Sequence, residues 1–296
     1  MEPKLIPLTD HLFQVVGRNQ GRFPFSHSFL VLDNTQALID TGCGPEMLEQ
    51  IRDSYRIDLI INSHGHPDHA AGNWLFPDVP VHAPAEGADS HGRLVPLSRR
   101  FFGPGPLADR WRRWISEEMG FRDQAPTVFY GHGQVFDFGH LRLQAIHTPG
   151  HTRDHYCFFQ PEHKILLSFD IDATPFGPWY GNRESSLMDF RKSIELVRSV
   201  DASVLASSHL DVLREGVDEA LEKYARVLDN RTKAILNLLD RGVSLTELVD
   251  AKPIYGRHPY VPDLLRWFEQ RMIELHIEEL VEQGLVTREG AACVRS

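Results

Sequence analysis

The sequence has few cysteines, no long apolar run and no excess of basic residues. Its three cysteines, Cys43, Cys157 and Cys293, form neither a disulfide framework nor a Cys-x-x-Cys site, so we expect reduced thiols. No apolar run approaches the roughly 18 residues of a membrane span. The amino terminus also lacks the basic and apolar regions of a signal peptide. These absences predict a cytoplasmic protein with no membrane contact.

The charge balance argues against a nucleic-acid partner. The chain has 31 basic and 41 acidic residues, a formal net charge of −10, which opposes strong binding to a phosphate backbone. A small-molecule substrate is therefore favoured. With 296 residues, 42% of them hydrophobic, the chain is long enough for one large domain and a small one.

Four side chains that commonly bind metals lie within six consecutive positions. They are His64, His66, Asp68 and His69, and they follow the apolar run 57–61, which is typical of a buried strand. Pro67 is suited to the first turn of a helix, which we predict over Asp68 to Leu75. The four side chains should therefore lie where a strand ends and a helix begins, facing a cleft that suits two metal ions.

Three more residues of the same chemical type follow predicted strands. His151 comes after the run 141–146, Asp170 ends the run 165–170, and His209 ends the run 204–209. Asp172 is an alternative to Asp170, because residues two apart on a strand point to the same side. We prefer Asp170, which directly follows the apolar run.

The segment from Leu5 to His209 resembles the metallo-β-lactamase-fold hydrolase superfamily, on the His-x-His-x-Asp-His signature and these three residues. The resemblance implies an α/β fold, an αββα sandwich, with two divalent metal ions; zinc is the first choice, and iron and manganese stay open. It implies that His64, His66 and His151 hold the first ion and Asp68, His69 and His209 the second, with Asp170 as a bridge. Asp68 would also be catalytic, orienting or receiving a proton. Asp40, in an Asp-x-Gly at the end of a predicted hairpin, is either a partner of a ligand histidine or a turn carboxylate.

The domain organisation is expected to be a hydrolase domain over 1–212 and a helical domain over 213–296. Apolar residues near helical spacing predict helices over 215–240 and 264–283 in the second domain. Residues 85–130 break the strand–helix rhythm and form a partly helical insertion or lid. Trp111 and Trp114 within it suit either packing or substrate contact. The last helix and the sequence after it look like part of a winged helix, but several acidic residues make it poor for a nucleic-acid groove. Packing or homodimer formation is the role that we assign to it.

The function predicted from the resemblance is hydrolysis of a small ester, thioester or lactone through a hydroxide that bridges the two metal ions. The alternative is a metal-dependent nuclease or phosphodiesterase, suggested by the carboxyl-terminal extension. A redox-active iron site is a third class. The sequence therefore predicts chemistry at a metal site more firmly than it predicts a substrate, since one fold hosts many reactions.

Overall fold

The computed structural model describes residues 3–239, 242–258, 261–289 and 292–295. Its first sheet has seven strands in chain order, antiparallel from β1 to β4 and parallel from β4 to β7. These strands are β1 (Leu5–Pro7), β2 (Leu12–Val15), β3 (Ser28–Val31), β4 (Ala37–Ile39), β5 (Leu59–Ile61), β6 (Val81–Pro84) and β7 (Val128–Tyr130). The predicted hairpins over the first 40 residues are therefore present.

The second sheet has five strands in the reverse of chain order, antiparallel except where β11 pairs with β12. Its strands are β8 (Val135–Asp137), β9 (Arg142–His147), β10 (Tyr156–Gln160), β11 (Ile165–Phe169) and β12 (Val204–Ser207). Every residue of β11 is buried, as expected for a central strand that is covered on both faces. The sequence analysis did not predict β8.

The described residues form eight α-helices, which lie on the outer faces of the two sheets, at the cleft or in the carboxyl-terminal region. They are α1 (Pro45–Ser54), α2 (Pro67–Ala70), α3 (Leu94–Phe102), α4 (Pro106–Met119), α5 (Leu187–Ser199), α6 (Val217–Leu239), α7 (Leu245–Ala251) and α8 (Pro262–Glu282). One apolar cluster lies between the sheets, a second packs α1 against the first sheet, and a third packs α5, α6 and α8 against the second. These layers confirm the predicted αββα sandwich.

The helix predicted from Asp68 to Leu75 is shorter than expected. It ends at Ala70, and a separate 3-10 turn covers Asn73–Leu75. The backbone N–H of Gly72 donates to Thr41 Oγ1 at 3.2 Å, and Thr41 Oγ1 donates in turn to Asn73 Oδ1 at 2.8 Å. These side-chain hydrogen bonds replace the helical ladder and tie the metal-ligand loop to the end of β4.

The carboxyl-terminal region contains more than the two predicted helices. The helix predicted to end at Asp240 reaches Leu239, and Asp240 itself lies outside the described residues. Helix α7 was not predicted. A strand was expected after the last helix, where β14 (Val286–Glu289) lies, but β13 (Val243–Ser244) and β15 (Ala292–Arg295), which join it in a small sheet of order β13-β15-β14, were not. Across the described ranges, no helix combines the length and the apolar character that crossing a membrane requires.

Candidate metal centre

All seven predicted ligand side chains meet in one place. The residues from His64 to His69 follow β5, His151 follows β9, Asp170 follows β11, and His209 follows β12. Each strand therefore delivers a loop to the same cleft. Six of the seven residues are at most 8% exposed, and His209 is half-buried, so the cleft floor is largely dry.

The first group consists of three histidines and one carboxylate. His66 Nδ1 lies 3.0 Å from His64 Nε2 and 2.7 Å from His151 Nε2. Asp170 Oδ2 lies 2.9 Å from His151 Nε2 and 3.8 Å from His64 Nε2. The four ligand-type atoms thus face a common point, all within 4.8 Å of one another.

The second group contains Asp68, His69 and His209, again with their ligand-type atoms within 4.8 Å. Asp68 Oδ2 lies 3.6 Å from His209 Nε2 and 3.9 Å from His69 Nε2. The other oxygen of Asp170, Oδ1, lies 3.0 Å from His69 Nε2 and 3.6 Å from His209 Nε2. Asp170 therefore places one oxygen against each group.

Asp172 lies differently from Asp170, although both follow β11. Asp172 Oδ1 accepts a hydrogen bond from the backbone N–H of Thr174 at 3.0 Å, and its carboxylate belongs to neither ligand group. Burial raises the pKa of Asp172 to about 6. The geometry supports the preference for Asp170 at the bridging position.

Each of the five histidines in the two groups has a hydrogen-bond partner at its second ring nitrogen. His151 Nδ1 lies 2.8 Å from the carbonyl of Trp179, and His209 Nδ1 lies 2.6 Å from the carbonyl of Gly21. Since a carbonyl only accepts, both rings carry their proton on Nδ1 and leave Nε2 free to bind a metal. His66 is the exception: its Nδ1 faces the group, and its Nε2 lies 2.6 Å from the side-chain amide of Asn182. With the amide turned so that its oxygen faces the ring, Asn182 accepts from Nε2–H and leaves Nδ1 free to bind a metal. The sequence analysis missed Asn182.

Asp40 fits both interpretations that the sequence left open. Its Oδ2 lies 2.7 Å from His69 Nδ1, and its Oδ1 accepts from the backbone N–H of Ser63 at 2.7 Å. It adopts a left-handed conformation, with φ of 56°, which Asp tolerates better than most residues. Two residues later the chain passes α2 so closely that a Cβ on Gly42 would lie 1.5 Å from the carbonyl oxygen of Asp68. Only glycine fits there.

His155 is a buried neighbour of the two groups and belongs to neither of them. Its Nε2 accepts from the backbone N–H of Asp170 at 3.2 Å. Burial, followed by the nearby His151, lowers the pKa of His155 to about 3. A neutral His155 thus fixes the backbone beside the bridging carboxylate.

The seven residues fit divalent metal ions. His69 Nε2 and Asp170 Oδ1 are buried atoms without a hydrogen-bond partner, although they lie close to each other. Where ring nitrogens approach within 3.0 Å of each other, their lone pairs repel unless a cation or proton lies between them. Imidazole nitrogens and carboxylate oxygens suit zinc, iron and manganese. The donor set therefore matches the expected metals.

The electrostatics of the cleft also favour added positive charge. Burial would lower the pKa of His69, but Asp170 and Asp40 raise it well above its usual value. Burial would raise the pKa of Asp170, and the adjacent His69 and His151 hold it well below its usual range instead. Burial dominates at His64 and lowers its pKa. Asp170 and Asp40 thus favour a positive charge at His69, whereas burial disfavours one at His64.

A cavity of about 680 Å³ opens above the two groups. The predicted insertion lines it through Phe101, Trp111 and Trp114, and the carboxyl-terminal helix α8 lines it through Leu264 and Phe268. The sequence analysis expected the insertion at the cleft but did not anticipate the contribution of α8. The volume is typical of a small-molecule site.

A buried ion pair fastens the insertion over the site. The guanidinium of Arg100 in α3 donates to both Asp154 and Glu184, and its side chain is only 5% exposed. Asp154 lies three residues after His151, and Glu184 lies two residues after Asn182. The insertion is thus attached to the two segments that carry and orient ligands.

Comparison with known proteins identifies the class. The sequence model of the metallo-beta-lactamase superfamily matches residues 21–209, more than half of the chain, and this protein belongs to that superfamily. The chain is 31% identical over 187 residues to the acyl-coenzyme A thioesterase MBLAC2 of Homo sapiens, covering 55% of this chain and 64% of that protein. It is 28% identical over 178 residues to an atrochrysone carboxyl ACP thioesterase of Aspergillus novofumigatus, covering 57% and 45%.

The whole chain also has a structural counterpart. A metallo-beta-lactamase family protein from Thermus thermophilus aligns with a TM-score of 0.77 and 21% identity, covering 98% of this chain and 100% of that one. This likeness concerns the fold, including its carboxyl-terminal part. The matches to the two thioesterases span about half to two thirds of those proteins, so their activity is not transferred by similarity alone.

Proposed function

We propose that this protein is a binuclear metal-dependent hydrolase that cleaves a thioester, or a related ester or lactone, of a small carboxylic acid. The observation that carries the proposal is the pair of ligand groups, joined by Asp170, at the floor of an apolar cavity. Relatives named as thioesterases support the choice of reaction. Water adds to the carbonyl carbon, the carbon–sulfur bond breaks, and the products are a carboxylate, a thiol and a proton.

The chain would hold one metal ion with His64, His66 and His151 and a second with Asp68, His69 and His209, with Asp170 between them. Zinc is the first choice, and iron and manganese use the same donors. When bound, such ions supply a low pKa for water and stabilise negative charge on a carbonyl oxygen. The carbonyls that fix His151 and His209 keep their Nε2 atoms available for this role.

Asp68 has the position of a proton acceptor. Its carboxylate lines the cavity and lies beside His209, so it reaches both the substrate space and the second ligand group. Burial raises the pKa of Asp68 despite the opposing effect of His69. A carboxylate whose pKa is raised is better suited to take up and return a proton.

The proposal is tested with purified, zinc-loaded protein and a panel of acyl N-acetylcysteamine thioesters, phenyl esters, lactones and bis(p-nitrophenyl) phosphate. We expect thioester hydrolysis to dominate and to fall by about 10²–10⁴-fold in Asp68→Asn. Asp211→Asn is the matched control, because Asp211 lines the cavity but belongs to neither ligand group. Faster cleavage of the phosphodiester than of every acyl substrate would reject the proposal in favour of the nuclease alternative.

The nuclease alternative has less support from the surface of the cleft. Asp68, Asp170, Asp172 and Asp211 all line the cavity, and Arg22 is the one arginine or lysine that does so among the described residues. A phosphate backbone requires a basic track. The cavity therefore lacks the basic lining that a nucleic acid would need, and a small acyl substrate is favoured.

We also propose that residues 213–296 form a winged-helix-like domain beside a hydrolase domain over 1–212. The order helix, strand, helix, helix, strand, strand from α6 to β15 supports the comparison. Its role would be packing and homodimer formation rather than nucleic-acid binding. Sedimentation equilibrium measures the mass in solution, and a monomer at all concentrations would reject the homodimer.

A further inference from the structure

Three helices, α3, α4 and α8, form one wall of the cavity. Among the described residues, only apolar side chains of these helices line it. They are Phe101 of α3, Trp111 and Trp114 of α4, and Leu264, Leu265 and Phe268 of α8, with Ile115 beside Trp114. The charged residues of these helices point elsewhere, since Arg110 of α4 pairs with Asp263 of α8 at the surface. Apolar side chains of these helices thus face the cavity, and the Arg110–Asp263 ion pair lies at the surface.

The apolar wall begins directly at the ligands. The ring of His66 lies 4.9 Å from that of Phe101 and 5.5 Å from that of Trp179. Trp179 in turn meets Phe268 edge-on at 5.1 Å. A substrate whose carbonyl carbon lies at the ligand groups would thus place its attached group along continuous aromatic surface.

Apolar surface also continues outward at the rim. Phe23 is 48% exposed and stacks on Trp114 with ring centroids 5.6 Å apart. Water contact with such rings is unfavourable, and an apolar ligand would remove it. The rim therefore extends the wall beyond the enclosed part of the cavity.

Resting on the proposed function, we propose that the acyl group of the substrate is a medium-length alkyl chain and that it lies between α4 and α8. Helix α8 lies outside the segment that matches the superfamily, residues 21–209. The length of acyl group that this chain accepts is accordingly determined by its carboxyl-terminal region.

The test measures equilibrium binding of straight-chain carboxylates, from acetate to decanoate, to the zinc-loaded protein by titration calorimetry. Burial of each methylene should tighten binding about two- to fourfold. Phe268→Ala should weaken decanoate at least tenfold and leave acetate unchanged. Trp267→Ala is the matched control, because Trp267 packs against Phe102 as Phe268 does but does not line the cavity. It should keep the wild-type dependence on chain length.

A second variant guards against a folding defect in Phe268→Ala. Leu265→Trp fills the cavity and should weaken decanoate selectively, while circular dichroism reports on the fold of each variant. Affinity that does not depend on chain length in the wild type, or equal losses for acetate and decanoate in both variants, would overturn the proposal. Chain-length-dependent binding without thioester hydrolysis would instead reject only the proposed function.

Discussion

The hydrogen bond between Asp40 and His69 determines which nitrogen of the histidine is available to a metal ion. Asp40 is buried, and its Oδ2 lies 2.7 Å from His69 Nδ1 and accepts from Ser63 Oγ at 2.7 Å. Because a carboxylate at this position accepts, His69 keeps its proton on Nδ1 and presents a lone pair on Nε2. The substitution Asp40→Asn should reverse this arrangement.

The direction of the effect depends on which neighbours of residue 40 can exchange the roles of hydrogen-bond donor and acceptor. The backbone N–H of Ser63 can only donate, so it requires an oxygen at the Oδ1 position. The amide nitrogen of Asn would then occupy the Oδ2 position and donate to His69 Nδ1. The histidine proton would move to Nε2 and block the ligand position. Loss of such a partner costs about 10–100-fold in metal affinity, or about 1.4–2.7 kcal/mol.

The assay is elemental analysis after dialysis of zinc-loaded protein against a chelator of graded concentration. We expect Asp40→Asn to lose one ion at about 10–100-fold lower chelator strength than the wild type. Asp123→Asn is the control, since Asp123 also accepts from a backbone amide, that of Leu94, but belongs to no group of potential metal ligands among the described residues. Wild-type retention of both ions in Asp40→Asn, or equal loss in Asp123→Asn, would refute the tautomer argument.

Three further predictions concern the bridge, acid stability and the aromatic loop, residues 174–181. Asp170→Ala should weaken the binding of one metal ion and abolish hydrolysis, while Asp172→Ala should keep both ions, as measured by elemental analysis and kinetics. Metal loss in Asp172→Ala, with two ions and full activity in Asp170→Ala, would show that the wrong carboxylate was chosen. Burial, and then two arginines, lower the pKa of His276 to about 3 from 6.5. Stability should therefore fall as the pH drops below about 6.5, and urea unfolding should show His276→Gln losing about 2 kcal/mol less than the wild type between pH 7 and 5. The turn variant His163→Gln should match the wild type, and a wild-type slope in His276→Gln would contradict the assignment. Arg231→Gln removes hydrogen bonds to two loop carbonyls, so the free energy of unfolding should fall by about 2–4 kcal/mol. An unchanged urea midpoint of unfolding would show that other contacts hold the loop.

The positions of the proposed ligands could be predicted because each follows a short apolar run and matches a motif of the resembled superfamily. Strand β11, for example, ends at Phe169, and the next residue, Asp170, enters the cleft. The same rule favoured Asp170 over Asp172. Local sequence thus carried most of the information on the metal centre.

Contacts between distant segments were not predictable. Asn182 contacts His66 across 116 positions, and no pattern around Asn182 marks it as a partner. Helix α2 ends early because Thr41, 31 positions before Gly72, takes over a helical N–H. The cavity wall from α8 depends on packing against α4, which follows from neither periodicity nor composition. Such features emerge only when the layers assemble.

The central claim, a two-metal hydrolase of acyl substrates, is tested most directly by titrating metal-free protein with zinc while measuring both bound metal and hydrolysis of a decanoyl thioester. We predict that binding reaches two ions per chain and that full activity requires the second equivalent. Binding that stops at one ion per chain, or full activity without any metal, would contradict the account.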